Sequence, residues 1–161
     1  MKTVKRRSQK QEKSVAKDFN ARTVVASGAK WGAKGDVRND KFLIECKTTE
    51  KDYYSLTANV WEKIEREAIT DHMRTPLMVI DLKDSDRIIV FRPKDFDDTI
   101  DTRLFTKDIP KSVRITKDFL GVDCFGDYTY SRVIHICGKK HNVLCFMLQK
   151  DFEERFKEVL D

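Results

Sequence analysis

The sequence predicts an α/β protein whose core is a central mixed β-sheet flanked by helices. One observation is the run at residues 77–82, which is apolar almost throughout and is typical of a strand covered on both faces. The other is the order strand, helix, strand between residues 41 and 82, which implies a right-handed crossover. At 161 residues the chain can bury a core without disulfides or a structural metal. We expect a single domain, with a core at about 5–92 and an extension at about 93–161.

The first helix is predicted at residues 5–20, because its apolar side chains recur at the spacing of one helix face. Glu12 shares that face with Val15, Ala16 and Phe19. An acid in such a position either reaches solvent at the boundary or points towards a charged site. A short strand is expected next, at residues 21–26.

The second helix should begin near Ser55 or Thr57, either of which could cap it, and end near His72. Its apolar stripe would consist of Leu56, Val60, Ile64 and Ala68. Strands are predicted after it, at residues 77–82 and 87–91.

The C-terminal part is expected to add a β-hairpin and a helix to this core. The residues that indicate them are an alternating pattern at 128–137 and 142–148, a turn at Gly138-Lys139-Lys140, and an amphipathic stretch at 150–160. Between residues 93 and 126 the pattern indicates only a short helix near 117–120.

The charge balance favours an anionic partner. Lys and Arg outnumber Asp and Glu by 32 to 27, which gives a net charge of +5 and a pI near 9.0, as nucleic-acid-binding proteins often have. Because the excess is concentrated at the N-terminus, Lys5, Arg6, Arg7 and Lys10 are predicted to contact phosphates, although such runs also occur on surfaces that bind nothing. No apolar stretch approaches the roughly 18 residues that span a bilayer. We expect a cytoplasmic protein with reduced cysteines and no membrane partner.

A glycine-bearing loop, residues 27–35, lies directly before the central hairpin. Its glycines lack the spacing of a phosphate-binding loop. Trp31, which lies between Lys30 and Lys34, is a candidate for stacking on a base or pressing against a sugar-phosphate backbone. It is equally consistent with a lid on the core, because tryptophan often buries its body and leaves its edge wet.

The central hairpin carries the main functional prediction. If the Asn39-Asp40 dipeptide is a two-residue turn, Asp36 pairs with Leu43, and strand alternation places Asp36, Glu45 and Lys47 on one face. The opposite face is wholly apolar and consists of Val37, Phe42, Ile44 and Cys46. One face therefore concentrates three ionisable groups, which is the arrangement of a chemical site.

Two acids in this placement can converge on one cation, because diagonal neighbours on paired strands lie roughly 7–8 Å apart at the backbone. Mg²⁺ is commonly bound by one or two carboxylates together with substrate phosphate, and the carbonyl of Cys46 could add a third ligand. Lys47 can orient or help deprotonate the attacking water and offset charge in the transition state. Because the metal activates the water, no Ser, His or Cys nucleophile is required. Mg²⁺ is the expected cofactor, and Mn²⁺ is expected to substitute.

With Gly35-Asp36 and Glu45-Cys46-Lys47 carrying the match, residues 5–82 resemble the PD-(D/E)XK nuclease superfamily. Within it the chain is most similar to archaeal-type Holliday junction resolvases and related phage and bacterial nucleases. Glu12 stands where those proteins carry an acid in the first helix, and Ser27-Gly28 stands where they carry a Ser-Gly pair before the hairpin. The resemblance implies a restriction-endonuclease-like core and magnesium-dependent hydrolysis of DNA. It also implies Glu12 as a further metal-shell ligand and Ser27 near the scissile phosphate. A resolvase would act on branched DNA as a homodimer, because two opposing strands need two active sites.

Three alternatives remain open. Zinc could be held by a C-terminal set that consists of Cys124, His135, Cys137, His141 and Cys145, although small core cysteines explain the same pattern. The chain could also be a non-catalytic DNA-binding module that kept the fold and lost the chemistry. A third possibility is the same chemistry on another substrate, as in a flap, nicking or restriction-type nuclease.

Overall fold

The computed structural model describes residues 2–24, 35–103, 107–120 and 131–160. The helices are α1 (Lys2–Asp18), α2 (Ala58–Thr70), α3 (Gln149–Arg155) and α4 (Lys157–Leu160), with a short 3-10 helix at Pro93–Asp95. The strands are β1 (Arg22–Thr23), β2 (Val37–Arg38), β3 (Phe42–Thr48), β4 (Tyr53–Thr57), β5 (Thr75–Asp81), β6 (Ile88–Phe91), β7 (Ser112–Thr116), β8 (Ser131–Cys137) and β9 (His141–Leu148). No helix within these ranges is long and apolar enough to cross a membrane.

Most strands form one mixed sheet, in the order β1-β2-β3-β5-β6-β9-β8. Strands β3 and β5 are parallel and are connected through β4 and α2, whereas the other neighbouring strands are antiparallel. The predicted α/β class with a central mixed sheet flanked by helices is therefore confirmed. The C-terminal hairpin β8–β9 extends this same sheet, and α3 follows it directly.

Apolar side chains cover both faces of the sheet. On one face, Val79 of β5 belongs to a buried cluster with Phe19, which directly follows α1, and Phe152 of α3. On the other face, Met78 of β5 belongs to a second cluster with Trp61 of α2. Strand β5 is therefore covered on both faces, as its continuous apolar run predicts. It holds β3, the strand with the acidic motif, through a parallel ladder along the whole length of β3.

The hairpin β2–β3 turns one residue later than the sequence suggests. The N–H of Asn39 donates to the carbonyl of Phe42 at 3.2 Å, so the two turn residues are Asp40 and Lys41. The predicted Asn39-Asp40 turn is wrong because the Asn39 side-chain oxygen accepts hydrogen bonds from the N–H groups of Lys41 and Phe42 and so begins the turn. The register consequently slides by two positions, which preserves the predicted face of each β3 side chain.

A small second sheet, formed by β4 and β7, is absent from the predictions. Leu56, which is predicted in the stripe of the second helix, lies in β4, and α2 begins only at Ala58. Thr57, one of the two predicted caps, accepts a hydrogen bond from the N–H of Val60 at 3.3 Å. The pairing of β4 with β7 joins segments that are distant in sequence, and no short turn marks it.

Two predicted C-terminal helices differ from the structure. Residues 117–120 form a turn instead of a helix. The closing helix at 150–160 is divided at Phe156 into α3 and α4. Phe152 and Phe156 are nevertheless buried, as the amphipathic pattern indicates, and both rings contact Phe91 edge-on at centroid distances of 5.1 and 5.5 Å.

Several other predictions fall partly outside the described residues. Of the strand expected at 21–26, the structure has Arg22–Thr23, and residues 25 and 26 lie outside. The hairpin expected from residue 128 is described from Ser131, and its turn at residues 138–140 is confirmed. Cys46, Cys137 and Cys145 lie in strands as free thiols, whereas Cys124 lies outside.

The C-terminal hairpin is fastened to α2 by the carboxylate of Glu62, which is 8% exposed. It accepts hydrogen bonds from the N–H groups of Lys139 and Lys140, both at 3.2 Å, and from the amide of Asn142 at 3.0 Å. A Cβ at Gly138 would lie 2.5 Å from the same carboxylate, so the turn needs a residue without a side chain here. Burial raises the pKa of Glu62, but these hydrogen bonds outweigh burial and hold it below its usual range.

We expect Glu62→Gln to lower the free energy of unfolding by about 1–3 kcal/mol at neutral pH, because an amide NH₂ would face a backbone donor. The folded-state pKa of Glu62 lies below the unfolded-state value. Its contribution is therefore complete above the unfolded-state pKa and is lost as the pH falls through the folded-state pKa. Urea unfolding in neutral and in acidic buffer measures this, and the difference between wild type and variant should shrink in acid.

The matched control is Glu67→Gln, on the same helix, since the Glu67 carboxylate makes a longer ion pair, 3.7 Å from the exposed Lys63. A loss for Glu62→Gln that is no larger than for Glu67→Gln would contradict the fastening role.

Candidate active site

The preceding glycine and a β-bulge direct the Asp36 side chain towards the site. Gly35 has a φ of +68°, and a Cβ there would lie 2.8 Å from the side chain of Leu43, so both backbone conformation and space favour glycine. The N–H of Asp36 donates to the carbonyl of Ile44 at 3.1 Å, although Ile44 is the register partner of Val37. Two residues thus face one, as in a β-bulge, which bends the strand and re-aims a side chain. The predicted pairing of Asp36 with Leu43 is wrong, because the later turn places Leu43 opposite Arg38 and the bulge places Asp36 beside Ile44.

The carboxylate of Asp36 then takes the place of a strand partner. Its Oδ2 accepts a hydrogen bond from the N–H of Cys46 at 2.9 Å. The N–H and C=O of one strand residue point to the same side, so the carbonyl of Cys46 points to this same edge of β3. The predicted third ligand, the Cys46 carbonyl, is therefore on the side of Asp36, while the Cys46 side chain is buried in the core.

Glu45 and Lys47 lie on the face of β3 opposite the Cys46 side chain. The Nζ of Lys47 and the Oε1 of Glu45 are 2.6 Å apart in an ion pair, with 33% and 15% of the two side chains exposed. Tyr54 of β4, a half-buried residue, is close enough that both charges act on its hydroxyl. Its pKa is raised by burial and by Glu45, and Lys47 opposes the rise. Tyr54 was not predicted, because no local pattern in the sequence indicates β4.

The charges of Glu45 and Glu12 lie close enough to Asp36 to act on its carboxyl. Burial, followed by the negative charge of Glu45, raises the pKa of Asp36 to about 6, and Glu12 adds a smaller contribution. The N–H of Cys46 and the charge of Lys47 oppose this rise. Burial lowers the pKa of Lys47, but the ion pair with Glu45 outweighs it and leaves that pKa above its usual range. Lys47 is therefore a stable ammonium, suited to offsetting negative charge more than to accepting a proton.

Glu12 lies on α1 beside this cluster. It is half-buried, and its carboxylate accepts a hydrogen bond from the hydroxyl of Ser8 at 3.1 Å. Its charge contributes to the raised pKa of both Asp36 and the Cys46 thiol. Glu12, the acid on the apolar face of the helix, thus borders the charged site. Of the two possibilities for its position, reaching solvent or pointing towards a charged site, the structure has the second.

Gln11 supports the site from behind and was not predicted. Its side chain is 2% exposed, and its amide donates to the carbonyls of Lys47 at 3.2 Å and Val79 at 3.3 Å. The hydroxyl of Thr48 donates to its side-chain oxygen. Gln11 thereby ties α1 to the β3–β5 ladder at the position of Lys47. Its place four residues before Val15, on the same apolar helix face, was the available sequence signal.

The predicted nucleic-acid-binding residues are described only in part. Lys5, Arg6 and Lys10 are exposed on α1, and a shallow groove of about 570 Å³ is lined by Arg6, Arg7, Gln9, Lys10 and Lys13. Arg7 is also engaged in the fold, because its guanidinium pairs with Glu50 at 3.0 Å and donates to the carbonyl of Leu82 at 3.1 Å. Ser27, Lys30, Trp31 and Lys34 lie outside the described residues.

The zinc hypothesis finds no support in the described part of the chain. There, no three His, Cys, Asp or Glu side chains are grouped so that they could hold a metal ion. His135 and His141 do approach each other, with Nδ1 and Nε2 2.8 Å apart, but Cys145 is fully buried in the core. For the acidic site the same finding means that any cation would rely on two carboxylates together with backbone, water or substrate oxygens.

Comparisons with known proteins find similarity among solved structures only. No family model matches the chain, and no curated protein matches it. Among solved structures it is similar to Hjc of Archaeoglobus fulgidus, a Holliday junction resolvase from an archaeal hyperthermophile. The match has 15% sequence identity and a TM-score of 0.44, and it covers 67% of this chain and 85% of the archaeal one. Proteins that are similar in fold at this level need not share ligands or activity.

We expect Asp36→Asn to stabilise the metal-free protein in neutral buffer. The folded-state pKa is about 6, above the unfolded-state value of about 3.9, so the folded state binds the proton more tightly. Ionisation of Asp36 therefore costs stability progressively as the pH rises from about 4 to 6, and the full cost applies above that window. Asparagine removes the charge and can still accept from the Cys46 N–H.

The expected gain in the free energy of unfolding is about 1–3 kcal/mol above pH 7 and close to zero near pH 4, measured by urea unfolding in EDTA. Asp40→Asn, at the exposed turn of the same hairpin, should change little at either pH. A destabilised Asp36→Asn protein at neutral pH would contradict the raised pKa of Asp36.

Proposed function

We propose that this protein is a metal-dependent endonuclease that hydrolyses DNA phosphodiester bonds, with selectivity for branched DNA of the Holliday junction type. One observation carries the proposal: Asp36, Glu45 and Lys47 lie together near the end of β3, and burial together with the charge of Glu45 raises the pKa of the partly buried Asp36 carboxyl. Carboxyl groups whose pKa is shifted by burial and by a specific neighbouring charge are concentrated at functional sites.

The donor set fits a hard divalent cation. Carboxylate oxygens of Asp36 and Glu45 and the carbonyl of Cys46 are hard oxygen ligands, and the groups at hand include neither a thiolate nor an imidazole, which zinc prefers. The negative potential that raises the pKa of Asp36 would favour a cation for the same reason that it favours a proton. Mg²⁺ is therefore the proposed cofactor, with Mn²⁺ as a substitute. When bound, such an ion supplies activation of water and polarisation of the scissile phosphate.

The chain's own residues have separable roles in this proposal. Asp36 and Glu45 hold the cation, and Lys47 places a fixed positive charge beside the phosphate, where negative charge grows in the transition state. Glu12 contributes to the metal shell through water. Gln11 keeps Lys47 in position through its main-chain contacts and touches no reacting group.

The DNA partner is supported by charge. The chain carries a net charge of +5, and the exposed basic side chains of α1 line a groove on a helix that also bears Glu12. Backbone phosphates in this groove would lie on the same helix as the acid that borders the site. Ser27, Lys30, Trp31 and Lys34 belong to the proposed DNA contacts as well. A two-fold homodimer is part of the proposal, because resolution of a junction needs two active sites.

The test is cleavage of labelled four-way junctions, flaps, linear duplexes and single strands, with and without Mg²⁺, by wild type, Glu45→Ala and Lys47→Ala. We expect Mg²⁺-dependent cutting that prefers junctions. Glu45→Ala should reduce the rate by about 10²-fold or more, because it removes a metal ligand. Lys47→Ala should reduce it by about 10²–10³-fold, the usual effect of removing one transition-state donor.

Glu67→Ala and Lys63→Ala are matched controls, since this acid–lysine pair lies on another element, α2, and its charged atoms are farther apart, at 3.7 Å. Both should retain wild-type rates. Full activity of Glu45→Ala would overturn the site assignment. Cutting that prefers flaps or linear duplex would support the proposed hydrolysis but contradict the proposed junction substrate. Tight junction binding without cutting in Mg²⁺ or Mn²⁺ would favour a non-catalytic DNA-binding module.

A further inference from the structure

A second cavity lies at the opposite end of the sheet from the acidic site. Strand β6 runs antiparallel to β5, whereas β3 runs parallel to β5. The C-terminal end of β6 and the C-terminal end of β3 therefore lie at opposite ends of the strands in the sheet. The cavity opens where β6 leads into the 3-10 helix and has a volume of about 220 Å³. Its walls include Trp61, Glu65, Arg92, Lys94, Lys140 and His141. This volume is below the roughly 300–1,000 Å³ of sites for drug-sized ligands, so it suits a small ligand.

Trp61, which lines the cavity, has an unused hydrogen-bond donor. The side chain is fully buried, and its indole N–H has no acceptor among the described residues. A buried donor without a partner costs about 1–3 kcal/mol, and buried tryptophans usually find an acceptor for this group. A ligand with an acceptor oxygen would remove that cost.

The charges on the walls favour an anion. Three cationic side chains line the cavity against a single carboxylate, Glu65. That carboxylate is 4% exposed and already balanced, because Arg92 lies 2.9 Å and Lys140 2.5 Å from its oxygens. Arg92 also forms an ion pair with Asp95 at 2.5 Å. Lys94, which is exposed at the cavity, makes no ion pair with any described residue, so its charge is available to a ligand.

We propose that this cavity binds a small phosphate-bearing ligand, whose oxygens accept from the indole N–H of Trp61 and pair with Lys94 and Lys140. The ligand would be free phosphate or the phosphate group of a mononucleotide. This site is separate from the acidic cluster and does not depend on the proposed nuclease function.

The reporter for the test is Trp61 itself, because the chain has two tryptophans, Trp31 and Trp61. In ¹H–¹⁵N spectra of the full chain, the indole resonance that remains in Trp31→Phe belongs to Trp61. Inorganic phosphate, adenosine monophosphate and adenosine are titrated in turn at constant ionic strength. We expect a saturable shift of the Trp61 indole resonance with phosphate or with the monophosphate. The tighter of the two identifies the source of the phosphate group, and adenosine should have no effect.

Lys94→Gln is the informative variant, because an exposed lysine can be replaced without leaving a buried charge. It should weaken phosphate binding by about three- to fivefold, the effect of one partly exposed ion pair. Lys63→Gln, an exposed lysine on the same helix as Trp61, should leave the affinity unchanged. The proposal fails if no saturable shift occurs, if adenosine binds as tightly as its monophosphate, or if Lys94→Gln and Lys63→Gln behave alike.

Discussion

The hydrogen bond from the N–H of Cys46 to the carboxylate of Asp36 is the contact on which the candidate site depends. Strand β2 is only two residues long, so β3 loses its partner on this side before the Glu45-Cys46-Lys47 segment is reached. The carboxylate occupies the position that a strand carbonyl would otherwise fill. It is thereby held at the edge of β3, beside the two neighbours of Cys46, although burial and the charge of Glu45 both oppose its ionisation. Gly35 makes the geometry possible, because a side chain there would collide with Leu43.

A cluster of partly buried acids is stable only when the surrounding fold supplies the free energy to hold it. Here β3 is fixed along its length by β5, and β5 is packed on both faces by apolar clusters. Gln11 adds a polar tie from α1 to the carbonyls of Lys47 and Val79. The unfavourable burial of the Asp36 charge beside Glu45 is therefore confined to the end of β3 in a strongly packed sheet. A bound cation would offset this cost.

The sequence predicted the elements with strong local patterns and missed those made by distant pairing. The apolar run of β5, the helix face of α1 and the turn at residues 138–140 are local features, and the structure has all three. Strands β4 and β7 stabilise each other from distant segments, so Leu56 looked like part of a helix stripe, and Tyr54 was overlooked. The faces of Glu45 and Lys47 were predicted correctly despite a wrong turn, because the slide of two positions preserves strand alternation. The role of Asn39 in starting the turn, and the bulge at Asp36, depend on side-chain hydrogen bonds that periodicity does not encode.

The central claim is that Asp36, Glu45 and the Cys46 carbonyl together form a site for a divalent cation. The most direct measurement is a crystal structure grown with Mn²⁺, in which anomalous scattering locates the ion independently of any activity. We predict one strong peak in contact with both carboxylates and the carbonyl, and its loss in Asp36→Asn crystals. A protein saturated with Mn²⁺ that shows no peak there, or whose main peak lies among other residues, would contradict it.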